Sequence, residues 1–335
     1  MIQNSTILAI ESSCDDTSVS IIQKGKVIAN IIETQTVHEA WGGIVPELAS
    51  RTHQQKIVPV VDAALKKANI SKKELDAVAF TQGPGLIGSL MVGASFAKGM
   101  ALALNIPLIG VHHMKAHILA HFIDEPKPEF PFICLTVSGG HTQIVLVKDY
   151  DEMEIIGSTL DDAAGEAFDK TAKLLGLAYP GGPLLDKLSK DGDPKKFKFV
   201  EPRVGELEFS FSGVKSSVLY FLQKETKKNP NFIEENLSDL CASIQERIVS
   251  ILIKKLKLAS KKYAIKNLAI AGGVSANSAL RAQLSNLNKH GYNIFIPDFQ
   301  YCLDNAGMIA QTASFMYEKR LFCEHSAEPK ARWSI

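Results

Sequence analysis

The sequence is poor in the features that mark secreted and membrane-spanning proteins. It has only five cysteines in 335 residues, and no two of them form a Cys-x-x-Cys pair, so reduced thiols are expected. Its first ten residues, MIQNSTILAI, lack the basic start and the cleavage site of a signal peptide. The most apolar window, residues 86–111, is interrupted by Lys98 and Pro107 and predicts a buried helix followed by a strand. We therefore expect a cytoplasmic protein that does not associate with a membrane.

The sequence also has almost no net charge. Its 37 lysines and arginines balance 36 aspartates and glutamates, which argues against a uniformly basic nucleic-acid-binding protein but leaves local patches open. Lysines cluster at residues 193–199 and 254–266, and a solvated charged face is the ordinary interpretation of both clusters. Hydrophobic residues make up 46% of the chain, which is enough for two cores at this length.

Two patterns recur in the same order in the two halves of the chain. Residues 6–33 and 131–159 each read as three strands, of which the first two are joined by a short polar turn. Residues 75–104 and 267–287 each read as a strand, a glycine turn and a helix. The repeated order predicts that the fold arose by duplication.

The polar and glycine-rich turns suggest what the duplicated halves bind. Such turns expose backbone N–H groups, and helix N-termini add positive dipole ends, so both attract phosphate. We predict an α/β, two-lobed fold of the actin, sugar-kinase and Hsp70 class with a nucleotide cleft between the lobes. The lobes are assigned to residues 1–128, completed by a helix at 306–320, and to residues 129–305. Ordinary strand turns are the alternative interpretation of these glycines.

A histidine pair in the sequence VHHMKAH indicates a metal site. His113 and His117 are four residues apart, so a helix would place both imidazoles on one face. The zinc-protease pattern His-Glu-x-x-His is absent, because Met114 stands at the glutamate position. A third ligand must come from elsewhere, and Asp304 is a candidate. Asp304 and Asn305 also precede a helical pattern, and N-capping is the simpler interpretation of both.

Other polar residues could contact a nucleotide. Asp15 lies in the turn ESSCDDT, where a carboxylate is unfavourable beside phosphate unless it handles a metal or a proton, so it is a candidate base. Glu166 and Asp169 share a predicted helix face and could accept hydrogen bonds from ribose hydroxyls. Asn277 follows the glycine turn AGGVSAN and could read an adenine edge. Turn formation and a solvated helix face are the ordinary alternatives.

Nine motifs in order resemble one family, the TsaD-type tRNA adenosine threonylcarbamoyltransferases, once labelled O-sialoglycoprotein endopeptidases. The resemblance covers residues 6–318. The motifs are ESSCDDTS, GGIVPELASRTH, TQGPGLIGSLMVGASFAKG, VHHMKAH, VSGGHTQ, DDAAGEAFDKTAKLLGLAYPGGP, FSFSGVKS, AGGVSANSALR and LDNAGMIA. A match of this extent is far more specific than any one of its parts.

The resemblance implies a set of site residues on an actin-like, sugar-kinase-like fold. It implies one divalent metal, iron or else zinc, held by His113, His117 and Asp304, and it leaves Asp15 as the catalytic candidate. The implied contacts to the nucleotide substrate are Thr136, Val137, Ser138, Gly139, Gly140, Asp169, Gly182, Asp186 and Asn277. The family usually carries Asp-Glu in its first hairpin, so Asp16 is one methylene shorter than expected and its role stays open.

The resemblance also implies the reaction. Family members transfer the threonylcarbamoyl group from L-threonylcarbamoyladenylate to the 6-amino group of adenosine at position 37 of tRNAs that read codons starting with A, and AMP leaves. The implied ligands are the adenylate, AMP and ATP. The implied partners are tRNA, an inactive paralogue of the TsaB type and a small P-loop ATPase of the TsaE type. A metal would polarise the threonylcarbamoyl group as a Lewis acid, and Asp15 would take the proton of the attacking amine.

Three other functional classes share parts of this pattern. A metalloprotease would use the histidine pair, but the missing glutamate counts against it. A kinase or chaperone-like switch would need a γ-phosphate pocket or an interdomain lever, and the histidine pair is not expected in either. A non-catalytic scaffold could lose the metal residues, which this chain retains. His121, four residues beyond His117, has no role in the family and is expected to be structural.

Overall fold

Residues 5–335 are described by a computed structural model and divide into two compact units. The first unit runs to Lys127 and resumes at Pro297–Ile335, and the second is Pro128–Ile296. Each unit is built around one five-stranded sheet. The lobe boundaries assigned from the sequence, after residues 128 and 305, stay a prediction.

The helices and strands of the two units are numbered in chain order. The strands are β1 (Thr6–Glu11), β2 (Asp16–Gln23), β3 (Lys26–Thr34), β4 (Ala77–Gly83), β5 (Leu108–His112), β6 (Phe132–Val137), β7 (Thr142–Val147), β8 (Met153–Ser158), β9 (Asn267–Ala271) and β10 (Asn293–Phe295). The helices are α1 (Pro46–Ala68), α2 (Ile87–Leu104), α3 (His113–Leu119), α4 (Ala164–Leu174), α5 (Gly181–Ser189), α6 (Ser212–Thr226), α7 (Phe232–Glu235), α8 (Leu237–Tyr263), α9 (Ser278–Asn286) and α10 (Ala306–Glu318).

The two sheets have the same topology. The first has the order β3-β2-β1-β4-β5, and the second has the order β8-β7-β6-β9-β10. In both, the first three strands along the chain pair antiparallel, and the fourth and fifth are added in parallel. A strand that returns in parallel needs a crossover, which α1 and α2 supply in the first unit. The predicted α/β fold with a duplicated order of elements is confirmed.

The central strand β1 shows how the first unit is layered. All six of its residues are buried, as expected for a strand covered on both faces. Leu8 and Ile10 pack into the cluster that includes α1 and α2, while Ile7 and Ala9 pack into the cluster that includes α3 and α10. Side chains alternate between the faces of a strand, so TILAIE places an apolar residue toward each layer of helices in turn.

The apolar window identified in the sequence forms α2 and β5, as predicted. Within residues 5–335, α2 is the one helix whose length and composition would allow it to cross a membrane. One of its faces is instead packed in the core of the first unit through Ala94, Ala97 and Ala101. Met91 and Leu102 on α2 stay more than half exposed.

Candidate functional site

The two predicted metal-binding histidines lie on α3, which begins directly where strand β5 ends. Both imidazoles are buried, and their ring centroids are 4.7 Å apart in an edge-to-face arrangement. His113 is the first residue of the helix and His117 follows one turn later, so their spacing brings them to the same face. The preceding residue, His112, caps the helix by accepting a hydrogen bond from the backbone N–H of Lys115.

Asp304 lies next to the two histidines, although it is 187 residues beyond His117 in the sequence. Its Oδ1 lies 3.1 Å from His117 Nε2 and 3.4 Å from His113 Nε2. One ligand atom from each of the three residues lies within 4.8 Å of the other two. The capping role predicted for this segment belongs to Asn305, whose Oδ1 accepts a hydrogen bond from Met308 N at 3.0 Å.

The position of Asp304 depends on how α10 is tied to the first sheet. The backbone N–H of Ala306 donates to Ser18 Oγ on β2 at 2.9 Å, and that of Gly307 donates to Asn30 Oδ1 on β3 at 3.2 Å. These side chains satisfy N–H groups that a helix N-terminus otherwise leaves without partners. They hold the start of α10, and with it Asp304, at a fixed place over the sheet.

A fourth residue, Glu11, completes the cluster and was not predicted from the sequence. It is fully buried at the end of β1, and its Oε2 lies 3.0 Å from His113 Nδ1. The same carboxylate accepts hydrogen bonds from Thr81 Oγ1 at 2.6 Å and from Ser13 N at 2.5 Å. Glu11 and His113 are 102 residues apart, so no local spacing relates them. The signals in the sequence are an acid at the end of a largely apolar strand and its position as the first residue of the motif ESSCDDTS.

The electrostatics of this cluster favour a cation at the imidazoles. Burial disfavours the charged form of His113, but the negative charges of Asp304 and Glu11 outweigh it and raise the His113 pKa well above the usual value. Burial likewise opposes ionisation of both carboxyls, and interaction with His113 outweighs it, so the pKa values of Glu11 and Asp304 are lowered. A proton or a metal ion could supply the positive charge that the fully buried Glu11 and the partly buried Asp304 require.

The donor set fits a divalent transition metal. Two imidazole nitrogens and one carboxylate oxygen are ligands that zinc and iron accept while leaving coordination positions open. Two ligands at about 2.1 Å from a tetrahedral metal are about 3.4 Å apart, which is close to the separations of Asp304 Oδ1 from the two Nε2 atoms. A metal held through His113 Nε2 would leave Nδ1 for Glu11, which is the carboxylate–histidine arrangement common around bound metals.

The predicted base, Asp15, lies outside this three-ligand cluster, in the tip between β1 and β2. Asp16 begins β2 and is paired in register with Thr34 of β3. Burial raises the pKa of both carboxyls, and the negative charge of Asp304 adds to the effect. The Asp16 pKa reaches about 7, and its Oδ1 is buried without a hydrogen-bond partner among the described residues. Both acids are therefore more easily protonated than a solvated aspartate.

Residues of the first hairpin tip are held by α1 and by the turn before α2. His53 on α1 approaches Thr17 Oγ1 at 2.8 Å and the carbonyl oxygen of Cys14 at 3.0 Å. The carbonyl oxygen of Ser13 accepts a hydrogen bond from Leu86 N at 2.7 Å. A Cβ added to Gly85 would lie only 2.5 Å from that same Ser13 oxygen, so this close approach requires glycine.

The second hairpin, between β6 and β7, has a different tip. Thr136 and Val137 are buried in β6, whereas Gly139 and Gly140 are exposed, with open space where a Cβ would lie. The carbonyl oxygen of Ser138 accepts a hydrogen bond from Gly165 N at the start of α4. The tip therefore presents backbone groups close to a helix N-terminus, the arrangement predicted for phosphate.

The remaining predicted nucleotide contacts form a connected series in the second unit. Asp169 Oδ1 accepts hydrogen bonds from the backbone N–H groups of Gly181 at 2.9 Å and Gly182 at 3.0 Å. Asp186, one turn after Gly182 on α5, accepts a hydrogen bond from Ser278 Oγ at 2.7 Å. The structure thus brings both acids to α5, one at its N-terminus and one on its first turns.

Asn277 closes this series, but its amide is already engaged. Its Oδ1 caps α9 by accepting from Leu280 N at 2.9 Å, and its Nδ2 donates to Gln245 Oε1 at 2.7 Å and to Asp186 Oδ1 at 3.3 Å. A contact with an adenine edge would require the amide to exchange one of these hydrogen bonds. Asn277 thereby also positions the Asp186 carboxylate.

Residues 328–333 pack against Gln82 and against His112, the residue before His113, and no feature of the sequence indicated this. The N–H of Lys330 donates to the carbonyl oxygen of Gln82 in β4 at 2.7 Å. The ring of Trp333 lies 4.6 Å from that of His112, and His112 Nε2 is 3.2 Å from the Trp333 carbonyl oxygen. Burial lowers the His112 pKa to about 4, so this imidazole is neutral at pH 7.

One histidine and one acid that the sequence analysis considered, His121 and Glu166, lie apart from these sites. His121 is buried in the turn after α3 and does not belong to the three-ligand cluster. Glu166 pairs with Lys170 at 2.7 Å on the surface of α4, as expected for a solvated helix face.

Comparisons with known proteins agree with the motifs. The family model described as TsaD, tRNA N6-adenosine threonylcarbamoyltransferase, matches residues 26–311. The chain is 58% identical to the tRNA N6-adenosine threonylcarbamoyltransferase of Christiangramia forsetii, covering 99% of both chains. It is 56% identical to that of Riemerella anatipestifer, again over 99% of both, and 52% identical to that of Porphyromonas gingivalis over 98% of both.

Solved structures of lower identity share the fold alone. HypF in its phosphate- and nucleotide-bound form superposes with a TM-score of 0.64 at 15% identity, covering 97% of this chain and 47% of that one. Component A of the (R)-2-hydroxyglutaryl-CoA dehydratase of Acidaminococcus fermentans gives 0.55 at 17% identity, covering 95% and 98%. The family model and the full-length relatives together decide the assignment: this chain belongs to the TsaD family of tRNA N6-adenosine threonylcarbamoyltransferases.

Proposed function

We propose that the chain transfers the threonylcarbamoyl group of L-threonylcarbamoyladenylate to the 6-amino group of adenosine 37 in tRNAs that read codons starting with A, releasing AMP. One observation carries the proposal beyond the family name. The cluster of the buried His113 and His117 with the partly buried Asp304 offers metal ligands, while the glutamate that would activate water for peptide cleavage is replaced by the buried Met114. A site of this kind suits acyl transfer, in which water is an unwanted nucleophile.

His113, His117 and Asp304 would hold one divalent metal, which we propose to be iron, with zinc as the alternative. When bound, the metal supplies Lewis-acid polarisation of the carbonyl group that is attacked. Glu11 and Thr81 support the site through the short contacts around His113 Nδ1. Their part is to hold the imidazole so that Nε2 faces Asp304.

Asp15 would take the proton lost by the adenosine amine as it attacks the carbamoyl carbon. Burial raises the pKa of Asp15, which makes its carboxylate a stronger base than a solvated aspartate. It is not one of the three clustered ligands, so proton transfer and metal binding belong to separate side chains. Asp16, paired with Thr34, would support the hairpin or share the proton.

The second unit would bind the adenylate. The exposed tip at Ser138, Gly139 and Gly140 offers backbone N–H groups for the phosphate, which carries the negative charge of the leaving AMP. Asp169 uses Oδ1 for Gly181 and Gly182, which leaves Oδ2 as the acceptor for a ribose hydroxyl. The remaining lining of this site would come from Thr136, Val137, Asp186 and Asn277.

The proposed partners are tRNA, an inactive paralogue of the TsaB type and a small P-loop ATPase of the TsaE type, all in the cytoplasm. Exposed apolar side chains on α1 and α2 support a protein partner for the first unit. Val58, Met91 and Leu102 are 61%, 54% and 71% exposed. Exposed large apolar side chains of this kind would be covered by a partner that docks on these helices.

A reconstituted reaction tests the proposal. Purified chain, the two partner proteins, the adenylate, labelled in its threonine, and unmodified tRNA should yield labelled tRNA and AMP. A tRNA whose adenosine 37 is replaced by guanosine is the matched control and should stay unlabelled. Label that appears equally on both tRNAs, or metal-dependent cleavage of a protein substrate that disappears with His113→Ala, would overturn the proposal.

A further inference from the structure

A groove on the second unit is lined by lysines that the proposed reaction does not use. It has a volume of about 720 Å³ and lies between the last turns of α8 and the segment that leads into β10. Twelve residues line its walls, among them Ile253, Lys254, Lys257, Lys261, Lys266 and Tyr292. Four of these residues are lysines and none is an acid, in a chain whose charges otherwise nearly cancel.

The lysines are not equally neutralised. Lys254 pairs with Glu201 at 2.6 Å, on one flank of the groove. Lys257, Lys261 and Lys266 are exposed and form no ion pair within 4.0 Å with any residue in the described range 5–335. Lys257 and Lys261 are one turn apart on α8, about 6 Å along the helix axis. The groove thus concentrates positive charge that the protein does not compensate.

The combination of uncompensated charge with aromatic and apolar side chains distinguishes the groove from an ordinary solvated helix face. On the other side of α8, Lys262 pairs with Glu206 at 2.8 Å, and the buried Lys255 donates hydrogen bonds to the Gly205 and Glu206 carbonyl oxygens. The groove side carries the uncompensated lysines together with an aromatic ring, Tyr292, and the apolar side chains of the wall. Phosphate binding needs the charges, and ribose or an unstacked base can pack on the ring.

We propose that this groove binds the sugar–phosphate backbone of the substrate tRNA. The inference rests on the proposed function, because tRNA is the polyanion that the proposed reaction brings to the chain. Lys257, Lys261 and Lys266 contact phosphates, and Tyr292 forms an apolar wall for a ribose or a base. Such contacts position the tRNA and add affinity without reading sequence.

Binding of the full-length chain to a fluorescent, unmodified tRNA transcript tests this directly. The variant Lys257→Gln/Lys261→Gln should bind roughly 10- to 30-fold more weakly at physiological salt, and its plot of log affinity against log salt should be less steep by about 1.5–2. The matched control is Lys224→Gln/Lys227→Gln, which removes two exposed lysines on and just after α6 of the same unit. It should retain wild-type affinity and slope.

Lysine footprinting supplies an independent readout. Acetylation followed by mass spectrometry should show protection of Lys257, Lys261 and Lys266 by tRNA, and no protection of Lys224 and Lys227. Equal loss of affinity in both double variants, no binding by the wild-type chain even at low salt, or no selective protection would overturn the inference. Protection by ATP alone to the same extent would also overturn it, since the groove would then be a small-anion site.

Lysine footprinting and the reconstituted reaction together separate failure of this inference from failure of the proposed function. If the wild-type chain labels tRNA in the reconstituted reaction but the groove lysines are not protected, the function stands and the groove inference fails. If the lysines are protected but no label is transferred, the groove binds RNA and the proposed reaction fails. A loss of association with a protein partner in the Lys257→Gln/Lys261→Gln variant, with tRNA binding unchanged, would assign the groove to that partner and overturn the inference.

Discussion

The two hairpin tips hold equivalent positions in the duplicated topology but have opposite character. The tip that follows β1 is largely buried, contains Ser12, Ser13, Asp15 and Asp16, and is held by His53 and by the turn before α2. The tip that follows β6 consists of Ser138, Gly139, Gly140 and His141, and its glycines are exposed. The same backbone plan therefore supports a fixed cluster of ionisable groups in one unit and accessible backbone amides in the other.

This difference shows how a duplicated fold separates two chemical tasks. A buried tip can hold carboxylates near a metal ligand, because hydrogen bonds and burial restrict their conformations. An exposed tip of small residues lets a charged ligand approach the backbone closely. Each unit keeps the sheet order that places its tip at the end of the first strand.

The largest effect should come from removing one of the proposed metal ligands beside the first tip. His113→Ala, His117→Ala and Asp304→Ala should each lose most of the bound metal, since a three-ligand site has no spare donor, and transfer activity should fall with it. His121→Ala is the matched control, because it changes a buried histidine next to the same helix. Metal content per chain, measured by mass spectrometry of the purified proteins, checks the prediction. Equal metal loss in the control would mean that the wrong histidines are assigned.

The next largest effect should come from the acid in the first tip. Asp15→Asn keeps size and hydrogen bonding but cannot accept a proton, so single-turnover transfer to tRNA should slow by roughly a hundred- to ten-thousand-fold. Metal content and affinity for an AMP analogue should stay unchanged. Asp16→Asn should have a milder effect, because this position already departs from the longer acid of the family. Near wild-type transfer by Asp15→Asn would exclude it as the base, and loss of metal would make its role structural.

A smaller effect is expected from Glu11, which contacts the proposed metal ligand His113 through Nδ1 and does not belong to the proposed three-ligand set. Glu11→Gln should weaken metal binding by roughly 10- to 100-fold, because the amide cannot replace the carboxylate that orients His113. The control is Glu33→Gln on β3, whose carboxylate pairs with Lys56 and is 45% exposed. Metal dissociation constants from competition with a chelator give the comparison. Identical values for both variants would show that Glu11 contributes only to folding.

The smallest effect concerns two glycines: Gly85, which packs against the first tip, and Gly139, which lies in the second tip. Gly85→Ala should lower the free energy of unfolding by about 1–3 kcal/mol, since the new Cβ would lie 2.5 Å from the Ser13 carbonyl oxygen. Gly139→Ala meets open space and should change stability by less than about 0.5 kcal/mol. It should nevertheless weaken binding of an AMP analogue several-fold, because a methyl group would limit approach to the tip. Urea unfolding and nucleotide titration measure the two quantities, and equal destabilisation by both substitutions would remove the proposed contrast.

Local patterns in the sequence were enough to predict the hairpin strands and the strand–glycine–helix segment of each unit, but not α1, α6–α8 or β10. Alternating and continuous apolar runs predicted the strands, and the glycine turns predicted where the strands end. The spacing of His113 and His117 predicted that both lie on one helix face. These features are local because side-chain period and turn chemistry depend on residues only a few positions apart. The repeated order of parts then made the duplication visible before any tertiary contact was known.

What the sequence by itself determined is the recurring strands and helices, their duplicated order and, through nine motifs, the family. The tertiary structure alone decided which distant groups meet: Glu11 with His113 across 102 residues, Asp304 with His117 across 187, and Trp333 with His112 across 221. It also decided that Lys257 and Lys261 share a groove wall with Tyr292. The physical reason is that such contacts depend on strand order and helix docking, which join segments that no local period relates.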